Sequence, residues 1–154
     1  MASKGRSILK NRPCFFRGDV TGLFAADYFV KNGQINDISM ESFYVTYLAN
    51  QFRFIRQGQT AHAFGQKLQH NYLLDHGGIE YDNVTQKFRV NFDRIRNTVA
   101  SLTNFIMIIQ GDGDKDKAKE AMDSLTVTRS YTETALKRLT NVAFDIHPTF
   151  AYTP

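Results

Sequence analysis

The sequence predicts a mainly α-helical protein with five to six helices and one small β-hairpin. Apolar residues recur at spacings of three and four along most of the chain, which is typical of amphipathic helices. One segment, residues 79–90, instead alternates apolar and polar side chains, as a strand pair does. The 154 residues are 42% hydrophobic and 22% charged with three prolines, a globular composition that fits a single domain.

Three helices are predicted in the first half of the chain by their apolar spacing and by glycines at their ends. The first covers residues 19–32 and the second covers about 40–57, closed by Gly33 and Gly58 respectively. A third begins after Thr60, a side chain suited to capping a helix N-terminus, and ends at the His-Gly-Gly sequence of residues 76–78.

The second half begins with the predicted hairpin and continues with the most regular helical pattern in the chain. Asn91 is the expected cap of a helix over about residues 92–110, whose apolar side chains alternate spacings of three and four. Because its last turns are apolar on most sides, this helix is expected to be central and buried. Shorter helices are predicted at 115–124 and 131–140, and an extended segment at 145–154.

Cysteine content and hydropathy exclude several classes of protein. A single cysteine cannot form an internal disulfide framework or a cysteine-rich zinc site. The longest apolar run, residues 105–109, is far shorter than the roughly 18 residues that span a bilayer. No apolar signal-peptide core is present near the N-terminus. We therefore expect a cytoplasmic protein without a membrane partner.

The positive charge is concentrated at the N-terminus. Residues 1–17 hold five basic side chains and no acid, whereas the remaining residues carry 14 basic and 15 acidic side chains. The sequence predicts a basic, disordered arm over residues 1–17 ahead of one helical domain at 18–154. An alternative is an arm that binds an anionic partner such as RNA or an acidic protein, although basic residues that bind nucleic acid usually cluster on a folded face.

The polar residues suggest few sites. The four histidines, at positions 62, 70, 76 and 147, contain no pair four residues apart, so no helix offers two imidazoles to one zinc ion. Arg53 and Arg56 are candidates for a clamp on a peptide carboxylate. The alternative is that both arginines are exposed at a helix end, where their charge complements the helix dipole.

Several stretches resemble one protein family. They are residues 42–49 (SFYVTYLA), 55–58 (IRQG), 61–63 (AHA), 71–74 (NYLL), 87–92 (KFRVNF), 109–114 (IQGDGD) and 145–146 (DI), preceded by 19–33 (DVTGLFAADYFVKNG). In this order and spacing they resemble the C-terminal part of the catalytic lobe of the dipeptidyl-peptidase III-like zinc metallopeptidases. The resemblance covers about residues 18–150.

The resemblance implies a zinc exopeptidase that releases dipeptides from the N-terminus of oligopeptides. In that family one helix supplies two histidine ligands and a glutamate base, and a second helix supplies a glutamate ligand. Here no histidine precedes His62, and Cys14 and Phe15 stand at the paired glutamate positions. Phenylalanine cannot ligate zinc, so neither a metal site nor a zinc cofactor is expected in this chain. His62 matches a family histidine that holds substrate near the metal.

Three functional hypotheses follow from these residues. The favoured one is a non-catalytic fragment or remnant of a zinc-dependent dipeptidyl-peptidase, in which His62, Arg53 and Arg56 are candidates for binding an oligopeptide. The alternatives are the anion-binding module and a hydrolase that is active only when another chain completes it. The aromatic residues of the first two helices would be covered in the complete family fold, so we expect a homo-oligomer or a complementary peptidase chain as partner.

Overall fold

The computed structural model describes residues 13–143, and side chains from Gly18 onward. Six helices and one two-stranded sheet occur in this part of the chain, which confirms the predicted fold class. In chain order they are α1 (Pro13–Lys31), α2 (Met40–Ile55), α3 (Ala61–Asp75), β1 (Ile79–Asp82), β2 (Lys87–Val90), α4 (Ile95–Asp112), α5 (Lys115–Leu125) and α6 (Ser130–Arg138).

The first helix begins earlier than predicted, at Pro13 rather than at residue 19. Proline is favoured in the first helical turn because the amide hydrogen it lacks would have no partner there. Residues 13–17 are therefore helical, and the prediction of an irregular arm is wrong for them. Residues 1–12 of the predicted arm and the predicted extended segment at 145–154 lie outside the described residues.

The ends of the helices follow the predicted signals closely. Gly33 has a φ of 67°, and the N–H of Gln34 donates to the Phe29 carbonyl at 2.9 Å, which closes α1. The Thr60 hydroxyl accepts the N–H of Ala63 at 3.1 Å, so the predicted cap of α3 is confirmed.

The predicted hairpin is present and is antiparallel, with Ile79 opposite Val90 and Tyr81 opposite Phe88. Asn91 does not cap the next helix. Its side-chain amide donates to Glu80 Oε1 at 2.6 Å, which ties it to the hairpin, and α4 begins at Ile95. The predicted start at residue 92 is therefore wrong by three residues.

The most enclosed helix is α3, in which ten of fifteen residues are buried. It packs against α1, α2, α4, α5 and β1. By contrast α4 buries one face, while its Met107 and Ile108 are 44% and 48% exposed. The predicted central position of the 92–110 helix is thus corrected: α3 occupies the centre, and α4 packs along its side.

No helix among the described residues is both long and apolar enough to cross a bilayer.

Candidate functional site

The connection between α2 and α3 brings the predicted substrate-binding residues together. His62 lies in the first turn of α3 and is exposed. Its ring stacks on the Phe54 ring, with centroids 5.7 Å apart and planes inclined by 26°. The Arg53 guanidinium lies 5.6 Å from the centroid of the same Phe54 ring. Phe54 therefore holds an imidazole and a guanidinium within one surface cluster, which we call the Phe54 cluster.

Arg56 has a different position from the one expected of a clamp with Arg53. Its Nη1 donates to the Val142 carbonyl at 3.1 Å and so ties residues 139–143 to the end of α2. Both arginines line one groove between α2 and these residues. The structure thus places Arg53 and Arg56 along the same groove and connects Arg53 to His62 through Phe54. Their role in binding a ligand stays a prediction.

A third cation lies near the start of α3. The Lys67 ammonium is 5.4 Å from the centroid of the Phe64 ring, and burial lowers the pKa of this lysine. Lys67 lies on the helix that follows the candidate clamp residues Arg53 and Arg56, as the sequence predicts, and the structure shows that it is buried.

A layer of buried and half-buried polar side chains lies between α2 and α3, and the sequence did not predict it. His70 Nδ1 lies 3.0 Å from Gln51 Oε1, and the Tyr47 hydroxyl donates to Gln69 Oε1. The rings of Phe52 and Phe88 contact the His70 ring, at centroid distances of 5.2 and 5.0 Å. These contacts join α2 to α3.

Burial keeps this layer uncharged near neutral pH. Desolvation, assisted by the positive charge of Arg129, lowers the pKa of His70 to about 4. Burial also raises the pKa of Tyr47. Among the described residues, His70 Nε2 and Gln51 Nε2 are buried without a hydrogen-bond partner. In the sequence, residues 66–71 are mostly polar, and this polarity predicts an exposed helix face rather than a buried one.

The described residues do not fit a zinc site. No group of three or more His, Cys, Asp or Glu side chains in this part of the chain could hold a metal ion. Asp19, in the region that resembles the second zinc motif, accepts a hydrogen bond from Gln66 Nε2 at 2.6 Å. The side chains of Cys14 and Phe15 lie outside the described residues.

Two solved structures are similar to this chain over most of its length. Dipeptidyl-peptidase III from Caldithrix abyssi superposes with a TM-score of 0.87 and 30% identity, covering 94% of this chain and 28% of its own. The fold is that of part of dipeptidyl-peptidase III. The enzyme from Corallococcus sp. strain EGB gives a TM-score of 0.82 and 35% identity, covering 87% of this chain and 25% of its own. The resemblance drawn from the sequence is thus confirmed at the level of the fold.

One protein that is similar in sequence is named for an activity other than that of dipeptidyl-peptidase III. Nudix hydrolase 3 from Arabidopsis thaliana is 38% identical over 137 residues, which are 87% of this chain and 18% of that protein. No protein-family profile matches the chain. The chain therefore spans under a third of each of these three proteins, and the activities in their names refer to much longer polypeptides.

Proposed function

We propose that this chain is the helical, non-catalytic part of a dipeptidyl-peptidase III-like lobe, and that it contributes a surface for binding oligopeptides. The observation that carries the proposal is the superposition on the Caldithrix abyssi enzyme over 94% of the chain with a TM-score of 0.87. Since the identity is 30%, the similarity extends to sequence as well as backbone.

The sequence supports the non-catalytic part of the proposal. A catalytic zinc site generally needs three protein ligands and an open position for water. These 154 residues contain no pair of histidines four apart, and Phe15 stands where the resemblance places a glutamate ligand. A zinc-bound nucleophile for the family reaction, the release of dipeptides, would have to come from residues outside this chain.

The Phe54 cluster supports the peptide-binding part. An exposed imidazole can exchange hydrogen bonds with a peptide carbonyl or amide, and a guanidinium can donate two bonds to a carboxylate. Stacking on Phe54 restricts both His62 and Arg53, so less side-chain entropy is lost when a ligand binds. The candidate ligand is a short peptide held by its backbone and a terminal or side-chain carboxylate.

Calorimetric titration of the chain with a short oligopeptide tests the peptide-binding part. We expect His62→Ala to weaken binding about fivefold to tenfold, the loss of roughly one hydrogen bond. His76→Ala is the matched control, because His76 is an exposed histidine at the opposite end of α3 and should leave binding unchanged. Absence of binding by the unaltered chain, or equal binding by both variants, would contradict the peptide-binding role.

A second candidate function is an anion-binding module that uses the basic N-terminal arm. It is supported by the five basic side chains and no acid among residues 1–17. Contacts of this kind weaken steeply with salt. Removal of residues 1–12 should therefore abolish any salt-dependent binding to a single-stranded RNA if this function is the correct one, and should leave peptide binding at His62 intact.

A further inference from the structure

We infer that Lys67 is a chemical modification site, a reactive primary amine on α3 that forms an imine with aldehydes. The inference is independent of the proposed function, because the peptide-binding proposal does not use this residue. It depends on three properties of Lys67: its burial, the absence of an acidic partner among the described residues, and an amine that still reaches solvent.

Lys67 is the one buried lysine among those that the structure describes. It is 9% exposed, whereas the lysines at positions 31, 87, 115, 117, 119 and 137 are all exposed. Lysine is among the residues that are least often buried, so a lysine with so little exposure is unusual. The Phe64 ring, one helical turn earlier on α3, lies beside the amine, with its centroid 5.4 Å from Nζ.

No carboxylate compensates the charge of Lys67 within the described part of the chain. Exposed lysines of this chain do have such partners, as Lys119 has Asp123. The one acidic residue of α3 is Asp75, and both of its carboxylate oxygens are bonded to Arg129. Because a buried ammonium without a counter-ion is unfavourable, the environment of Lys67 favours the neutral amine.

Desolvation accordingly lowers the pKa of Lys67, with no contribution from a neighbouring charge among the described residues. Attraction of the ammonium to the face of the Phe64 ring opposes this shift, and it is a modest effect where the amine keeps contact with water. Near neutral pH, Lys67 therefore holds a larger fraction of neutral amine than an exposed lysine does.

The amine of Lys67 still reaches solvent. Fully buried polar side-chain atoms without a partner occur in four of the described residues, and Lys67 is not one of them. Long charged side chains bury their aliphatic part and keep their polar end in water, so the remaining exposure of Lys67 is at Nζ. A small electrophile can therefore approach this nitrogen while the helix stays folded.

An aldehyde is the class of electrophile that these properties favour. The neutral Nζ attacks the carbonyl carbon, and a proton moves from nitrogen to oxygen to give a carbinolamine. Loss of the hydroxyl with the remaining N–H proton, as water, leaves a C=N bond. The step needs no oxidant or reductant, and only the neutral amine is nucleophilic. The Phe64 ring beside Nζ favours an aromatic aldehyde, whose ring can pack against it.

Reductive trapping tests the inference on the unaltered full chain. The chain is treated with benzaldehyde and sodium cyanoborohydride, which reduces each imine to a stable amine, and peptide mass spectrometry measures labelling at each lysine. At pH 7 we expect Lys67 to be labelled at least about threefold faster than Lys87, an exposed lysine of the hairpin, since one pKa unit changes the neutral fraction tenfold. In concentrated urea both lysines are exposed and should be labelled at equal rates. Lys67→Arg should remove the fast component and leave labelling of Lys87 unchanged.

Three results would overturn the inference. Labelling of Lys67 no faster than Lys87 in the folded chain would show that its surroundings do not activate the amine. A faster rate at Lys67 that persists in urea would assign the reactivity to the local sequence rather than to burial. A fast component that remains in Lys67→Arg would place the reactive amine on another residue.

Discussion

His70 is the residue whose environment departs most from its sequence-based expectation. Periodicity identified an amphipathic α3 but could not show that its polar residues at 66–71 face the interior. They can do so because α2 supplies polar partners: Gln51 contacts His70, and Tyr47 bonds to Gln69. Hydrogen bonds between the side chains of two different helices leave no signal in the sequence of either helix alone, so this layer was not predictable from spacing.

The pH dependence of stability should report on His70. Its pKa is lowered to about 4 in the folded chain, against 6.5 when unfolded, so the unfolded chain binds the proton more readily between these values. The stability associated with neutral His70 is therefore complete above about pH 6.5 and decreases as the pH falls toward 4. Urea unfolding at pH 7 and pH 5 should show a smaller loss of stability in His70→Gln than in the unaltered chain.

His76→Gln is the control for that measurement, because His76 is exposed and stacks on Tyr72 at the far end of α3. It should keep the pH dependence of the unaltered chain. If His70→Gln and the unaltered chain lose the same free energy of unfolding between pH 7 and pH 5, burial of a neutral His70 is not a source of the pH dependence.

At the scale of the secondary-structure elements, most helices were predicted because the residues that end a helix, such as glycine, lie next to it in the sequence. Gly33, Gly58 and Gly77 all have positive φ angles and lie at the predicted helix ends. The helix predicted over about residues 92–110 includes Phe92 on its apolar face. In the structure Phe92 is exposed and precedes the first turn of α4. Asn91 is bonded to the hairpin region through its side chain, which donates to Glu80, and through its N–H, which donates to the Gly78 carbonyl, and α4 begins only at Ile95.

Two neighbouring residues of α4 test how this helix packs. Ile106 is buried in the core, and Met107 lies on the outer side of the helix. Ile106→Ala should lower the free energy of unfolding by about 2–5 kcal/mol, because it removes buried methyl groups and leaves a cavity. Met107→Ala should cost under about 1 kcal/mol. Denaturant unfolding measures both, and equal losses would contradict the assignment of these faces.

At the scale of the whole molecule, the sequence predicted the fold class but not the arrangement of the helices. The resemblance to dipeptidyl-peptidase III came from short stretches in a fixed order. Those among the described residues lie in or beside α1, α2, α3, β2 and α4, and the backbone is similar to that of the Caldithrix abyssi enzyme. The sequence identified His62 and Arg53 as separate candidate residues and did not predict that they meet in the Phe54 cluster. Its assembly depends on the turn between α2 and α3, whose path requires Gly58 with a φ of 74° and which spacing alone does not determine.

At the same scale, the candidate ligand-binding residues and the exposed aromatic side chains of α1 belong to different helices. The candidate ligand-binding residues lie at the end of α2 and in the first turn of α3, whereas the exposed aromatics Phe24 and Tyr28 lie on α1. Neither surface presents a group of residues that could hold a metal ion, within the part of the chain that the structure describes.

The chain has the fold of part of dipeptidyl-peptidase III, and we propose that it lacks the chemistry of that enzyme. The most direct measurement is release of dipeptides from a chromogenic dipeptide substrate by the purified chain with zinc supplied, combined with elemental analysis of bound metal. The account predicts no release above background and no stoichiometric zinc. Stoichiometric zinc together with dipeptide release that disappears in His62→Ala would contradict it.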